Sequence, residues 1–171
     1  MLQYRAIIDF DSWLSELPDL LLRYHAPRIR LFIASCCERQ QRNYAAFSKE
    51  VNWGDPTVLR EAGNILWRLD EMPANSYLNA ILRELEKVTP DTDDFSSALT
   101  SAALDAASSL GEAIGYLIDG DNSHCVTICT LIRDTIYMYL EQGDSLTTSE
   151  RALQELAKQQ ADLKLWRNFP N

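Results

Sequence analysis

Apolar residues recur at helical spacing along almost the whole chain. Trp13, Leu14, Leu17, Leu20, Leu21 and Tyr24 fall on one face at intervals of three and four, which predicts an amphipathic helix. Pro18 predicts a kink or restart inside it, and Pro27 is expected to end it. From Arg28 onward, Ile29, Phe32, Ile33, Cys36, Gln40, Tyr44, Phe47 and Val51 hold one face. That is about six turns at 3.6 residues per turn, read as one long helix or as two joined near Arg42.

Asn52-Trp53-Gly54-Asp55-Pro56 is the clearest start signal. Gly serves the turn, Asp accepts backbone N–H groups, and Pro suits the first helical position. Val58, Leu59, Ala62, Ile65, Leu66 and Leu69 form the stripe behind it, closed by Pro73. Leu78, Ile81, Leu82, Leu85 and Val88 predict a fourth helix stopping before Pro90. A fifth is expected from a cap at Asp93 or Asp94 to about Asp119. Ala98, Ala102, Ala103, Ala106, Ala107, Gly111, Ala113 and Gly115 let neighbouring axes approach closely, so this Ala-rich element is expected at the centre.

Asp119-Gly120-Asp121-Asn122 reads as a helix stop followed by a new N-cap. Ser123 to Glu141 is apolar nearly all round and rich in β-branched residues, but its length without Gly or Pro argues for a buried helix over a strand. Thr147 and Glu150 fit a capping box before a last stripe of Leu153, Leu156, Leu163 and Trp166. No alternating strand pattern is sustained. The expectation is an all-α bundle of six to seven helices, with residues 1–171 as a single domain.

Charge changes this picture more than composition does. The net charge is −9, unevenly spread. Residues 1–51 hold seven basic and six acidic groups, and residues 52–95 hold four and nine. Residues 96–146 hold one and seven, and residues 147–171 hold four and three. Such a middle repels phosphate backbones and anionic lipid, so neither nucleic acid nor membrane is expected as a partner. It attracts a basic partner, or serves simply as a solubilising face. Acidic Asp9 stands where a secretory leader would be apolar, and the longest strongly apolar, charge-free run is Leu31 to Cys37. A cytoplasmic location is therefore expected. Four cysteines, Cys36, Cys37, Cys125 and Cys129, are then expected to be reduced and buried as small hydrophobes.

Candidate chemistry is sparse. No phosphate-cradling Gly-rich loop, nucleophile elbow or Glu-x-x-His pair occurs, so no catalytic residue, metal or cofactor is assigned. His124 or Cys125 with Cys129, facing Cys36 or Cys37, has the ligand types for zinc, yet the same spacing is that of two core positions on one helix. Asp119 to Asn122 lacks the alternating oxygen ligands a calcium loop needs. A second grouping is polar: Glu38, Arg39, Arg42 and Asn43, then Asp55, then Asp105 among the small residues of the fifth helix. A carboxylate there needs a partner or an open side, and Arg39 and Asn43 are the expected partners.

Cys37-Glu38-Arg39, Asn43-Tyr44-Ala45-x-Phe47, Gly54-Asp55 and Leu66-Trp67 appear in order. Pro90-Asp91-x-Asp93-Asp94-Phe95 and Ala103-Leu104-Asp105-Ala106 follow. Together they resemble the YjaG-like bacterial family, domain of unknown function 416, over about residues 29 to 140. Arg42 stands where that family has Pro, segment 98–102 lacks its aromatic Tyr-Gly-x-Tyr-Pro, and Pro27 stands near an expected Trp. The ends, 1–27 and 142–171, do not align. The resemblance implies a compact all-helical cytosolic protein and singles out Glu38, Arg39, Asn43, Asp55, Trp67, Asp94 and Asp105. It implies no activity. Two functions are thus open: a non-enzymatic interaction or adaptor protein (a homodimer, or an acidic inhibitor-like binder of a basic partner), and a ligand binder or enzyme built on Glu38, Arg39 and Asp105.

Overall fold

The computed structural model describes the backbone of residues 2–141 and 146–165, and the side chains of residues 9–138 and 150–165. Among these residues the chain forms seven helices and no strand: α1 (Leu2–Leu21), α2 (Ala26–Val51), α3 (Pro56–Trp67), α4 (Asn75–Val88), α5 (Thr100–Asp119), α6 (Ser123–Glu141) and α7 (Leu146–Leu165).

The centre is the pair α2 and α5. Helix α5 packs against α2, α3, α4 and α6, while α1 and α7 pair with each other and close on α2 and α6. The small residues explain the position of α5. Ala102, Ala103, Ala106, Ala107 and Ala113 are all buried, so its axis approaches several neighbours at once. Larger side chains fill the space around it: Phe10, Phe32, Tyr44, Phe47, Leu59 and Leu78 are fully buried.

The predicted boundaries meet the structure unevenly. Pro18 lies inside α1, which does not restart there. Pro27 opens α2 rather than ending α1, in the first turn where a missing N–H costs nothing. Helix α2 runs unbroken through Arg42. The largest shift is at α5, which starts at Thr100 with no side-chain cap. Asp91 and Asp94 lie instead in an exposed turn in which the Asp94 N–H donates to the Asp91 carbonyl at 3.2 Å. Good turn formers beside a helix pattern were read as its cap. The stop at Gly120 and the new cap are as expected, with Asp121 Oδ1 accepting the Ser123 N–H at 2.8 Å. The side chain of Thr147, and Trp166, lie outside the described residues.

Candidate functional site

Several of the ordered motifs meet in one structural hub. The α2–α3 turn begins at Asn52, whose left-handed φ of 53° caps α2, and passes through Gly54 at φ 81°. A Cβ at Gly54 would overlap the Tyr44 hydroxyl, so both conformation and space require glycine there. Tyr44 in turn donates to the Val88 carbonyl at 2.5 Å, tying α2 to the end of α4. One turn on, Phe47 meets Trp53 and Phe95 at ring-centroid distances of 6.2 and 5.2 Å, and Trp53 meets Phe95 at 5.0 Å. The Asp-Asp-Phe segment thus brings its aromatic ring back onto α2. Asp55 caps α3, accepting from the Thr57 N–H at 2.8 Å and hydroxyl at 2.7 Å. Those hydrogen bonds hold its carboxyl below the usual carboxylate range.

The remaining polar candidates are dispersed over different partners. Arg39 reaches α7, where Nε and Nη2 donate to Glu155 at 2.9 to 3.1 Å and Nη1 to Asp162 at 2.7 Å. Burial alone would lower its pKa, but these carboxylates hold the guanidinium above its ordinary value. The network extends through Gln159, which donates to Glu155 at 3.3 Å and accepts from Trp13 Nε1 at 3.0 Å. Asn43 donates to Gln40 Oε1 at 3.0 Å. Glu38 and Asp94 are exposed, and Trp67 closes α3 partly exposed.

Asp105 is held by neither Arg39 nor Asn43. Its Oδ2 accepts from Thr135 of α6 at 2.6 Å. Both expected donors are spent elsewhere, and the hydroxyl comes from a helix whose polar positions were masked by its apolar run. Burial pushes the Asp105 carboxyl up; the Thr135 hydrogen bond opposes this and neighbouring Asp134 adds to it. The folded-state pKa is raised, so whatever stability Asp105 contributes is present below the ordinary carboxylate pKa and lost as pH rises through the folded value. Asp105→Asn keeps an acceptor for Thr135 and removes the charge. Urea midpoints at about pH 7 are expected to stay equal or rise in the variant, with wild type gaining on it toward about pH 4. A variant unfolded at neutral pH would contradict this account.

Sequence reasoning missed Arg30 and the partners of His124. Arg30, 5% exposed, lies beneath the end of α3. It donates to the carbonyls of Leu66 (3.0 Å), Glu71 (3.0 Å), Arg68 (2.7 Å) and Ile65. His124, near the start of α6, bridges two acids of α5: Nδ1 stands 2.6 Å from Glu112 Oε2, and Nε2 3.1 Å from Asp119 Oδ2. Its ring lies over Gly115, where a Cβ would come within 2.7 Å of Cε1. Both ring nitrogens face acids, so this residue's imidazole does not face the thiols.

Burial alone would lower the His124 pKa, but Glu112 and Asp119 outweigh it and raise it. The sign follows: this contribution to stability is complete below about pH 6.5, the unfolded value, and is lost as pH rises through the raised folded value. The stability advantage of wild type over His124→Gln is therefore expected to shrink as pH rises from about 6.5 through the raised folded value. A constant difference in urea midpoints across that range would sink the clamp.

All four cysteines are free and buried. Cys37 donates weakly to the Ser109 carbonyl at 3.5 Å. The Cys36 hydrogen bond and burial push the Cys129 thiol up, and burial pushes Cys125 up to about 12. Such thiols are poor nucleophiles. No group of three or more His, Cys, Asp or Glu disposed to hold a metal occurs among the described residues.

Three concave surfaces are the remaining candidates, one of them, of about 490 Å³, between α1 and α7 with Ser12, Glu16 and Gln160 in its lining. A second, of about 450 Å³, lies beside the α3–α4 turn, lined by Ile65, Met72, Pro73 and Tyr77 with the Arg68–Glu71 ion pair at its rim. The third, of about 540 Å³ and mostly apolar, runs between α1 and α6. Pro18, Asp19 and the 77%-exposed Leu22 form one wall, with Ser123, Val126, Thr127 and Thr130 opposite. The Thr127 and Thr130 hydroxyls donate to carbonyls of their own helix, at Ser123 (3.1 Å) and Val126 (2.8 Å). This is why a threonine-rich wall is apolar.

An all-helical bundle whose short motifs build caps, ties and an aromatic hub is the class that fold and residues define. The chain belongs to the protein family of unknown function DUF416, whose model matches residues 22–169. It is 26% identical over 142 residues to the uncharacterised protein YjaG of Escherichia coli K12, covering 81% of this chain and 72% of that one. The same figures hold for YjaG of Salmonella typhimurium. The fold resembles the crystal structure of a DUF416 family protein from Shewanella baltica, with TM-score 0.77 and 24% identity, covering 90% of this chain and 85% of that one. The match runs into both ends that the motifs alone left unaligned. No helix of the described residues is long and apolar enough to cross a membrane.

Proposed function

We propose that this chain is a cytoplasmic protein-binding domain, without catalytic activity of its own, that captures a basic protein partner. The observation that carries the reading is the face formed by α1 and α6, where an apolar groove adjoins acidic groups with little cationic compensation. Asp19 lies in the groove wall and Asp121 at the start of α6. Among the described residues from 96 to 138, Arg133 is the sole Lys or Arg. Its guanidinium is engaged by Asp11 at 3.1 Å and Asp134 at 2.8 Å. A field of one sign around an apolar contact speeds capture of an oppositely charged protein and repels nucleic acid.

The test is capture from the cells that make the protein, followed by reconstitution from purified components. A 1:1 complex with a basic protein is expected, its association rate falling about ten-fold between about 20 and 200 mM salt. A salt-independent rate, or an acidic partner, overturns the reading.

A further inference from the structure

Resting on that reading, we infer that the α1–α6 groove seats a basic amphipathic helix of the partner, with an aliphatic stripe in the groove and Lys or Arg along its flanks. Three features select this occupant.

The first is shape. Ser123, Val126, Thr127 and Thr130 lie on one face of α6 over two turns, about 10 Å at 1.5 Å per residue. With α1 opposite, they form a trough between two helices. A third helix packs such a trough by placing side chains at i, i+3 or i+4 and i+7 into it.

The second is polarity. Leu22 is 77% exposed beside Pro18 and Val126, and the threonine hydroxyls on the other wall are turned back to their own backbone. Beyond Asp19, Asn122 and Ser123, the trough offers little for a polar extended peptide to bond with. It rewards burial of aliphatic carbon.

The third is charge. Asp19 stands within the wall and Asp121 at one end, while Asp134, one turn beyond Thr130, is already paired with Arg133. No Lys or Arg lines the trough, and Arg23 on the α1–α2 turn is its nearest cation in sequence. A second copy of this chain would set the same acids against each other across a two-fold axis. A helix with cationic flanks meets them with opposite charge.

The experiment uses the full-length protein and a fluorescein-labelled synthetic helix-forming peptide carrying leucine at heptad spacing with lysine on both flanks. Anisotropy is expected to show saturable 1:1 binding. Leu22→Ser, at an exposed position, is expected to weaken it about five-fold, and Asp19→Lys about ten-fold with a shallower salt dependence. Binding within two-fold of wild type by both variants overturns the groove as the seat, while salt-sensitive binding in that same experiment leaves basic-partner capture standing. Equal binding of a peptide with glutamine for lysine overturns the cationic part. Equal binding of one with serine for leucine overturns the apolar part. No binding by the leucine–lysine peptide at all overturns the inference, and the reconstituted partner complex then decides separately on capture.

Discussion

Replacing Arg30 by methionine is expected to lower stability by about 4 kcal/mol, among the largest effects of any single substitution here. The side chain is almost wholly buried, and its donors reach four carbonyls at the end of α3 and in the turn after it. Of these, the Ile65 and Arg68 carbonyls also accept backbone N–H groups, from Arg68 at 3.3 Å and Glu71 at 3.2 Å, while other carbonyls at a helix end have no partner within it. α3 ends without glycine, at Arg68 with φ −86° and ψ 76°, so the guanidinium does the work a Schellman turn would do. A hydrogen bond to a charged donor contributes roughly 1.5–3 kcal/mol, and each buried acceptor left bare costs about 1–3. Overlap among bonds to one group, and the backbone donors that two of the carbonyls keep, bring the total below the sum of four such bonds. Lysine keeps the charge but cannot fork to several carbonyls, so Arg30→Lys is expected to lose about 2 kcal/mol. Urea unfolding measures both; a methionine variant within about 1 kcal/mol of wild type would show that the turn holds itself.

Arg30 also marks the limit of what the sequence discloses. Apolar spacing located α1, α2, α3, α4 and α7, because burial of one face is a local property repeated every three or four residues, while α6 was legible from its apolar length without Gly or Pro. The Ala-rich stripe placed α5 at the centre because small side chains let neighbouring axes approach closely. Arg30 stands between Ile29 and Leu31 on a helix that is apolar on that side, and nothing local says that its head turns toward carbonyls some 35 residues away. Only the crossing of α2 with α3 makes that link. The start of α5 was misread from the opposite cause, since Asp-rich segments cap helices and build turns with the same side-chain chemistry.

The polar candidates show the same division. Asp55 was legible as a cap because its partner lies two residues away. Asp105 was legible as a carboxylate in need of a partner, but the partner was not, because Thr135 comes from another helix. Residues in ordered motifs carry no label for the kind of constraint they satisfy. In this chain Tyr44, Gly54, Phe47 and Phe95 satisfy packing and backbone constraints around one turn. The α1–α6 groove was invisible for the complementary reason: Leu22 falls outside the stripe of α1, and nothing local says that it lies exposed in the turn just past the helix end, opposite α6.

Arg39→Met is expected to cost about 3 kcal/mol and to release α7 preferentially. The guanidinium holds Glu155 through two nitrogens and Asp162 through a third, and Glu155 is itself buried. Removing one member of a buried ion cluster usually costs roughly 3–5 kcal/mol, because the remaining charge loses its compensation in a poor solvent. The Arg39 and Asp162 side chains are each 20% exposed, so water screens part of the loss and the lower figure applies. The effect should be local as well as global. Trp13 reaches the same network through Gln159, so amide exchange in α7 is expected to accelerate more than in α2 or α5, with a change in tryptophan emission. Replacing Arg39, Glu155 and Asp162 together by apolar residues of similar size should recover most of the loss, since it removes the stranded charges. That recovery separates a tie between helices from a binding role. An Arg39→Met protein that keeps its unfolding midpoint and the exchange protection of α7 would leave the Glu-Arg motif without a structural reason, and return Arg39 to the surface chemistry that the ordered motifs first suggested.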